Sequence, residues 1–227
     1  FNKDTILFLQ IIANLKTPAS AANIIQFAQS NGLNVSSGED LNYWLDATHT
    51  SLVSTDVLML TNSLSKTEEY EDIAMSSFYN VYKNKNIFVD SILHWFIGNK
   101  HNWFSKKDII IVSPYNDFLR KSDNNISCNS SSFLDINIQL KSTDMVNDIV
   151  ANIKQLSPTL QNPIILLCTE LYDTAISGLL KKEKISSIVL GEYIFGYFNI
   201  ISSHPQKIWH KTINKVYMDT LIQLSDQ

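Results

Sequence analysis

Apolar residues fall at helical spacing over the first third of the chain and in short continuous runs over the second half. Pro163-Ile164-Ile165-Leu166-Leu167-Cys168-Thr169 and Ser187-Ile188-Val189-Leu190-Gly191 are two such runs. A continuous apolar strand suits a sheet covered on both faces, and such sheets are usually parallel. Phe133-Leu134-Asp135-Ile136-Asn137-Ile138 partly alternates and reads as another strand. Two helical patterns lie between these three strands. Ser142 to Leu156 carries Met145, Val146, Ile149, Val150 and Ile153 on one face. Thr169-Glu170 caps the second, which carries Leu171, Ala175, Ile176, Leu179 and Leu180 and ends in Lys181, Lys182 and Lys184. The stretch Phe133 to Gly191 therefore reads strand, helix, strand, helix, strand, the centre of an α/β domain.

The same reading extends outward. Asp108 to Ser113 is a buried strand, and Ser113-Pro114 opens a short helix through Phe118 and Leu119. Upstream, Asp4 to Leu15 is a helix that is hydrophobic on most sides. Thr17-Pro18 pairs a capping hydroxyl with proline at the first helical position. The helix it starts stops at Asn31-Gly32. A third, short helix begins at Ser37, with Asp40 as an acidic partner three residues on. Residues 1–47 thus form a helical unit packed on an α/β domain of residues 48–227, as one continuous fold. Leu52 to Leu60 reads as a strand and Lys66 to Tyr82 as an amphipathic helix. Asn86 to Ile97 reads as a short strand running into a helix, and His204-Pro205 starts a last helix to about Leu224. Ser122 to Ser132, rich in Asn, Ser and Asp, reads as a surface loop. The expected fold is α/β, a mostly parallel sheet flanked by helices, with an N-terminal helical unit.

Composition narrows the function more by exclusion than by signal. The chain has 227 residues, 44% hydrophobic and 18% charged, with a net charge of -4, which is ordinary for a globular protein. Arg120 is the sole arginine. Arginine is the preferred fork for phosphate and guanine edges, so no specific nucleic-acid partner is expected. The 6 glycines include no G-x-G-x-x-G or P-loop spacing, and no cofactor is expected. The 2 cysteines, Cys128 and Cys168, form no C-x-x-C and suit a reducing compartment, so an intracellular, cytoplasmic setting is expected. No apolar run approaches the ~18 residues of a membrane span. The chain opens on Phe1, and targeting is not legible from it.

In open parallel sheets, ligands sit beyond the carboxyl ends of the strands. Those ends here are Ser113-Pro114-Tyr115, Cys168-Thr169-Glu170 and Gly191-Glu192-Tyr193. Cys168 or Thr169 near a helix start would be the nucleophile of an enzyme. The bland alternative makes Cys168 a core residue and Thr169 a cap, and nothing in the sequence supplies a paired base. His49, His94, His101, His204 and His210 show no metal-binding spacing, and Glu68, Glu69, Glu71 and Asp72 read as dipole partners at a helix start. No catalytic residue and no metal site is assigned.

The aromatics stand out more. Trp95, Phe96, Trp103 and Phe104 flank the polar segment Gly98 to Asn102, and Tyr193, Phe195, Tyr197 and Phe198 form a second group. Trp and Tyr are enriched at interface hot spots. Trp95, Trp103, Phe104, Tyr193, Phe195 and Tyr197 are the expected interface residues, against the alternative that they fill the core. The span Asp108 to Ile194 resembles the last subdomain of the type III export-gate cytosolic domain. The similar pieces are Ile109-Ile110-Ile111-Val112-Ser113-Pro114, Ser132-Phe133-Leu134-Asp135, Pro163-Ile164-Ile165-Leu166-Leu167 followed by Glu170-Leu171, and Ile188-Val189-Leu190. The similarity covers under half the chain. The first hundred residues depart from that family's pattern, the arginines expected after the second strand are missing, and the similarity is not a family assignment. It implies a docking platform rather than an enzyme. Taken together, the sequence points to a non-enzymatic protein-interaction or scaffold subunit of an intracellular multiprotein complex, with other protein subunits as partners. The competing expectation is a small α/β enzyme or degenerate nucleotide-fold protein with its site at the strand ends.

Overall fold

The computed structural model describes residues 3–15, 20–60, 86–89, 104–120, 128–137, 140–191 and 194. Helices α1 (Lys3–Leu15), α2 (Ala21–Ser30) and α3 (Gly38–Ser54) come first, followed by strands β1 (Val57–Leu60) and β2 (Asn86–Val89). Then come β3 (Asp108–Ser113), the short helix α4 (Asn116–Leu119), β4 (Ser130–Asp135) and α5 (Ser142–Leu156). A single 3-10 turn at Ser157–Thr159 leads to β5 (Ile164–Leu167), α6 (Asp173–Lys182) and β6 (Ser186–Val189). β1 and β2 pair in parallel as a two-stranded sheet. The main sheet has four parallel strands in the order β4-β3-β5-β6. The fold is α/β, as the continuous apolar runs require.

Strand pairing sets which residues share a face. Ile110 pairs with Ile165 and Val112 with Leu167, and these four face the helices. Against them lie Met145, Val146, Ile149 and Ile153 of α5 and Ala175, Ile176 and Leu180 of α6. The same cluster takes in Leu7, Phe8, Leu9 and Ile11 of α1 and Leu41, Trp44, Leu45 and Leu52 of α3. Ile109, Ile111 and Leu166 point to the opposite face and are equally buried, so both faces of the sheet are covered. Fully burying each such side chain contributes about 1.5–3 kcal/mol, which makes this shared cluster the main source of stability.

The helical N-terminal region joins this core through close contacts. α3 packs along α6 where Ser51 meets Gly178. Trp44 Nε1 donates to the Leu171 carbonyl at 2.8 Å, a buried bond between residues 127 apart in sequence. The Asn34 carbonyl accepts from both the amide and the hydroxyl of Ser142, at 2.8 and 2.7 Å. The Asn34 amide donates to Tyr172 Oη at 3.1 Å. Lys181 reaches the Ser54 carbonyl and Asp56 and so closes the C-terminus of α3.

Several local readings shift by a few residues. Helix α2 is capped by Ser20, whose hydroxyl accepts from the Asn23 amide, while Thr17-Pro18 lies outside the described residues. Its end does fall at Asn31-Gly32. Gly32 takes φ +92°, and Leu33 donates back to Ala28, a Schellman stop. α3 is not a short helix ending before a strand at Leu52. It runs through residue 47 to Ser54, because Thr48, Ser51 and Leu52 carry its buried face onward, and the strand begins only at Val57. β4 starts at Ser130 instead of Phe133, inside the segment read as a loop. Its serines form backbone pairs with β3, and an edge strand does not require apolar side chains for that. Asn129 and Ser130 also donate to Asp108 Oδ1, each at 2.6 Å. α6 begins at Asp173, after a loop, rather than at a Thr169-Glu170 cap. The helices read at 66–82 and after 204 lie outside the described residues, as does the helix that follows the short strand at 86–89.

Candidate functional site

The strand order defines one place where a parallel sheet opens. From β3 the chain moves outward to β4, then crosses back to β5 on the other side of β3 and on to β6. Connections leaving β3 and β5 therefore diverge, and the crevice between their carboxyl ends is the topological switch point. Ser113 and Tyr115 stand on one side of it, and Cys168, Thr169 and Glu170 on the other.

The residues at this point are tied to one another. The Cys168 amide continues the β3–β5 ladder past the strand end by donating to the Val112 carbonyl at 2.9 Å. Leu190 and Gly191 both donate to the Leu167 carbonyl, at 3.0 and 3.1 Å, which draws in the end of β6. Ser113 is fully buried, and its hydroxyl accepts from the Tyr115 amide at 3.0 Å. Tyr115 Oη donates across the crevice to Glu170 Oε1 at 2.5 Å. Glu170 holds φ +62°, a left-handed conformation that costs a non-glycine residue about 1–2 kcal/mol. That backbone turn carries its carboxylate back toward Tyr115. Cys168 is buried and Cys128 half-buried.

Behind this bridge lies a buried acid pair. Thr169 donates both its amide, at 2.5 Å, and its hydroxyl, at 2.7 Å, to Asp173 Oδ1. Asp4, from the first turn of α1, receives the Thr174 amide on Oδ2 and the Thr5 amide on Oδ1, both at 2.7 Å. Burial pushes the Asp173 carboxyl up to about 8, with the neighbouring charge of Asp4 adding to the effect. Burial likewise raises Asp4 above the ordinary aspartate range. Sequence reasoning missed this pair. The signal available was an aspartate inside a helix that is otherwise apolar on most sides, where a charge needs a partner from elsewhere in the chain.

A second polar cluster stabilises the end of β4. Arg120 lies 5.3 Å from the Phe133 ring centroid and bonds Asp135 and Asp117, each at 3.1 Å. Asn116 donates to Asp135 Oδ1 and to the Leu134 carbonyl, both at 2.8 Å. The Asn116 bond, and then Arg120, hold Asp135 below its usual range.

Of the residues expected at an interface, Phe104 is described, and it is fully buried, so its ring offers no surface to a partner. Trp95, Trp103, Tyr193, Phe195 and Tyr197 lie outside the described residues. Among the described residues no group of three His, Cys, Asp or Glu is placed to hold a metal ion, and no helix is long and apolar enough to cross a membrane. No protein-family model, curated protein or solved structure matches the chain.

Proposed function

We propose that the chain is a non-enzymatic protein-interaction or scaffold subunit of an intracellular multiprotein complex. The observation that supports this reading is the bridged switch point. Where an open α/β sheet takes a ligand, Tyr115 and Glu170 bond each other, Thr169 is committed to Asp173, and Ser113 to the Tyr115 amide. Polar groups spent on one another hold a shape and leave the chain's outer surfaces to do the binding. The chain's 2 cysteines form no C-x-x-C, and so sparse a set suits a reducing compartment.

A second reading, a small α/β enzyme, draws on Glu170 and Asp173. A strained carboxylate beside a buried acid of raised pKa is a combination that catalytic sites share. The two readings separate in one experiment. The chain and a Tyr115→Phe/Glu170→Gln variant are each tagged at native level and purified from cells that make the protein. The interaction reading expects both to bring down the same partners in fixed stoichiometry. The enzyme reading expects a lone chain whose thermal shift with a small-molecule ligand disappears in the variant.

A further inference from the structure

We propose that α1 is fastened to the fold by a carboxyl pair that must hold a proton, so that raising the pH frees this helix and uncovers the apolar surface beneath it. Asp4 and Asp173 are each 0% exposed. Three of their four carboxyl oxygens accept hydrogen bonds, from Thr5, Thr174 and Thr169. The fourth, Asp173 Oδ2, is buried with no hydrogen-bond partner. An anionic oxygen so placed has lost its water and gained nothing in return, whereas a protonated one is neutral. None of the ion pairs among the described residues includes either acid. The proton therefore belongs on Asp173 Oδ2, with Asp4 served on one oxygen by the Thr174 amide at the α6 N-terminus and on the other by the Thr5 amide of α1.

A further acid reinforces the need for that proton. Glu170, from the loop before α6, adds negative charge near Asp173. From α3, His49 stacks on Phe8 at 6.5 Å, one turn along α1 from Asp4. Losing the proton would leave two carboxylates together in a buried site. The Thr174 amide bond to Asp4, with a longer Thr5–Thr174 hydroxyl contact at 3.5 Å, joins the first turn of α1 to α6. Beneath α1, the residues it covers with Leu7, Phe8 and Ile11 belong to the main apolar cluster.

The sign follows from linkage. With α1 detached, Asp4 on α1 and Asp173 on α6 both regain water and return to an ordinary pKa of ~3.9. With Asp173 at about 8 in the closed form, closing takes up a proton between those values. The opening equilibrium then rises by up to about tenfold per pH unit across that window and levels off above it.

The test is hydrogen exchange read by mass spectrometry from pH 5 to 9, with protection corrected for the intrinsic chemical rate. The expected result is a loss of α1 protection approaching about tenfold per pH unit, larger than in β3, and abolished by Asp173→Asn. Constant α1 protection, an equal loss in β3, or the same loss in Asp173→Asn would each overturn the proposal. If that variant does not fold, aspartate carboxyl ¹³C resonances of the wild-type chain decide. One carboxyl titrating far above the others, together with loss of α1 protection, supports the latch; every aspartate titrating in the ordinary range sinks it.

Discussion

Replacing Gly178 by alanine tests whether the helical N-terminal region and the α/β region are packed as one body. On helix propensity alone, Gly178→Ala in the interior of α6 stabilises by about 1 kcal/mol. The packing predicts the reverse. A Cβ at residue 178 would sit 2.6 Å from Ser51 Cβ, 2.8 Å from its Cα and 3.0 Å from its amide nitrogen. Two of those atoms are backbone, so no side-chain rotation relieves the contact. α3 and α6 must separate by several tenths of an ångström, along a contact that also carries the Lys181 bonds to Ser54 and Asp56. Overpacking of this kind costs about 1–3 kcal/mol, and the upper end applies where backbone is the obstacle. After the propensity gain is subtracted, a net loss of about 1–2 kcal/mol remains. For a chain of this size that lowers Tm by roughly 2–8 °C. Urea denaturation of the wild type, Gly178→Ala, Ser51→Gly and the double variant measures it. Ser51→Gly removes the nearest atom, so the double variant should be more stable than the two single losses summed. A Gly178→Ala chain more stable than wild type would refute the reasoning, because propensity would then have outweighed the contact.

Other outcomes follow from the same structure. Trp44→Phe leaves the buried Leu171 carbonyl without its donor and should destabilise by about 1–3 kcal/mol in chemical denaturation. Lys184 holds φ +60° in a Schellman stop, with Ile185 donating to Leu180. Lys184→Gly should therefore raise stability by about 0.5 kcal/mol, the relief of strain exceeding the added unfolded-state entropy; a loss in thermal melts would contradict this. Asp108 is held below its usual range, first by Ser130, as Asp40 is by Ser36. Their contribution is present above the ordinary aspartate pKa and is lost as pH falls through their lower folded values. Asp173 runs the other way: its contribution is complete in acid and is lost as pH rises through about 8. Thermal melts against pH should accordingly peak in mildly acidic solution, Asp108→Asn should shrink the acid limb, and Asp173→Asn the alkaline one.

Much of this architecture was legible because the sheet is buried on both faces. Ile109 to Val112 and Ile164 to Leu167 are continuous apolar runs, and no helix or exposed strand explains them as well. α5 was legible for the matching reason, its apolar residues falling on one face and its ends marked by Ser142 and Pro158. The misplaced boundaries have a common cause. Ser130 to Ser132 are held by backbone pairing to β3, and Ser51 by close approach of α6 beside the buried Thr48, so neither segment advertises its state through apolar side chains. The strand-end position of Tyr115, Thr169 and Glu170 was readable from topology. Their mutual bonding was not, since it depends on the left-handed turn at Glu170, which no glycine marks. The Asp4–Asp173 pair joins residues at opposite ends of the described chain, and local pattern carries no trace of such a contact.

The central claim is that the strand-end residues bridge the sheet and that the chain works by binding other proteins. Native mass spectrometry of the tagged chain and its Tyr115→Phe/Glu170→Gln variant, both isolated from the producing cells, tests it most directly. The account predicts one defined protein assembly of the same composition for both. A chain isolated alone, carrying a small molecule that the variant no longer holds, would contradict it.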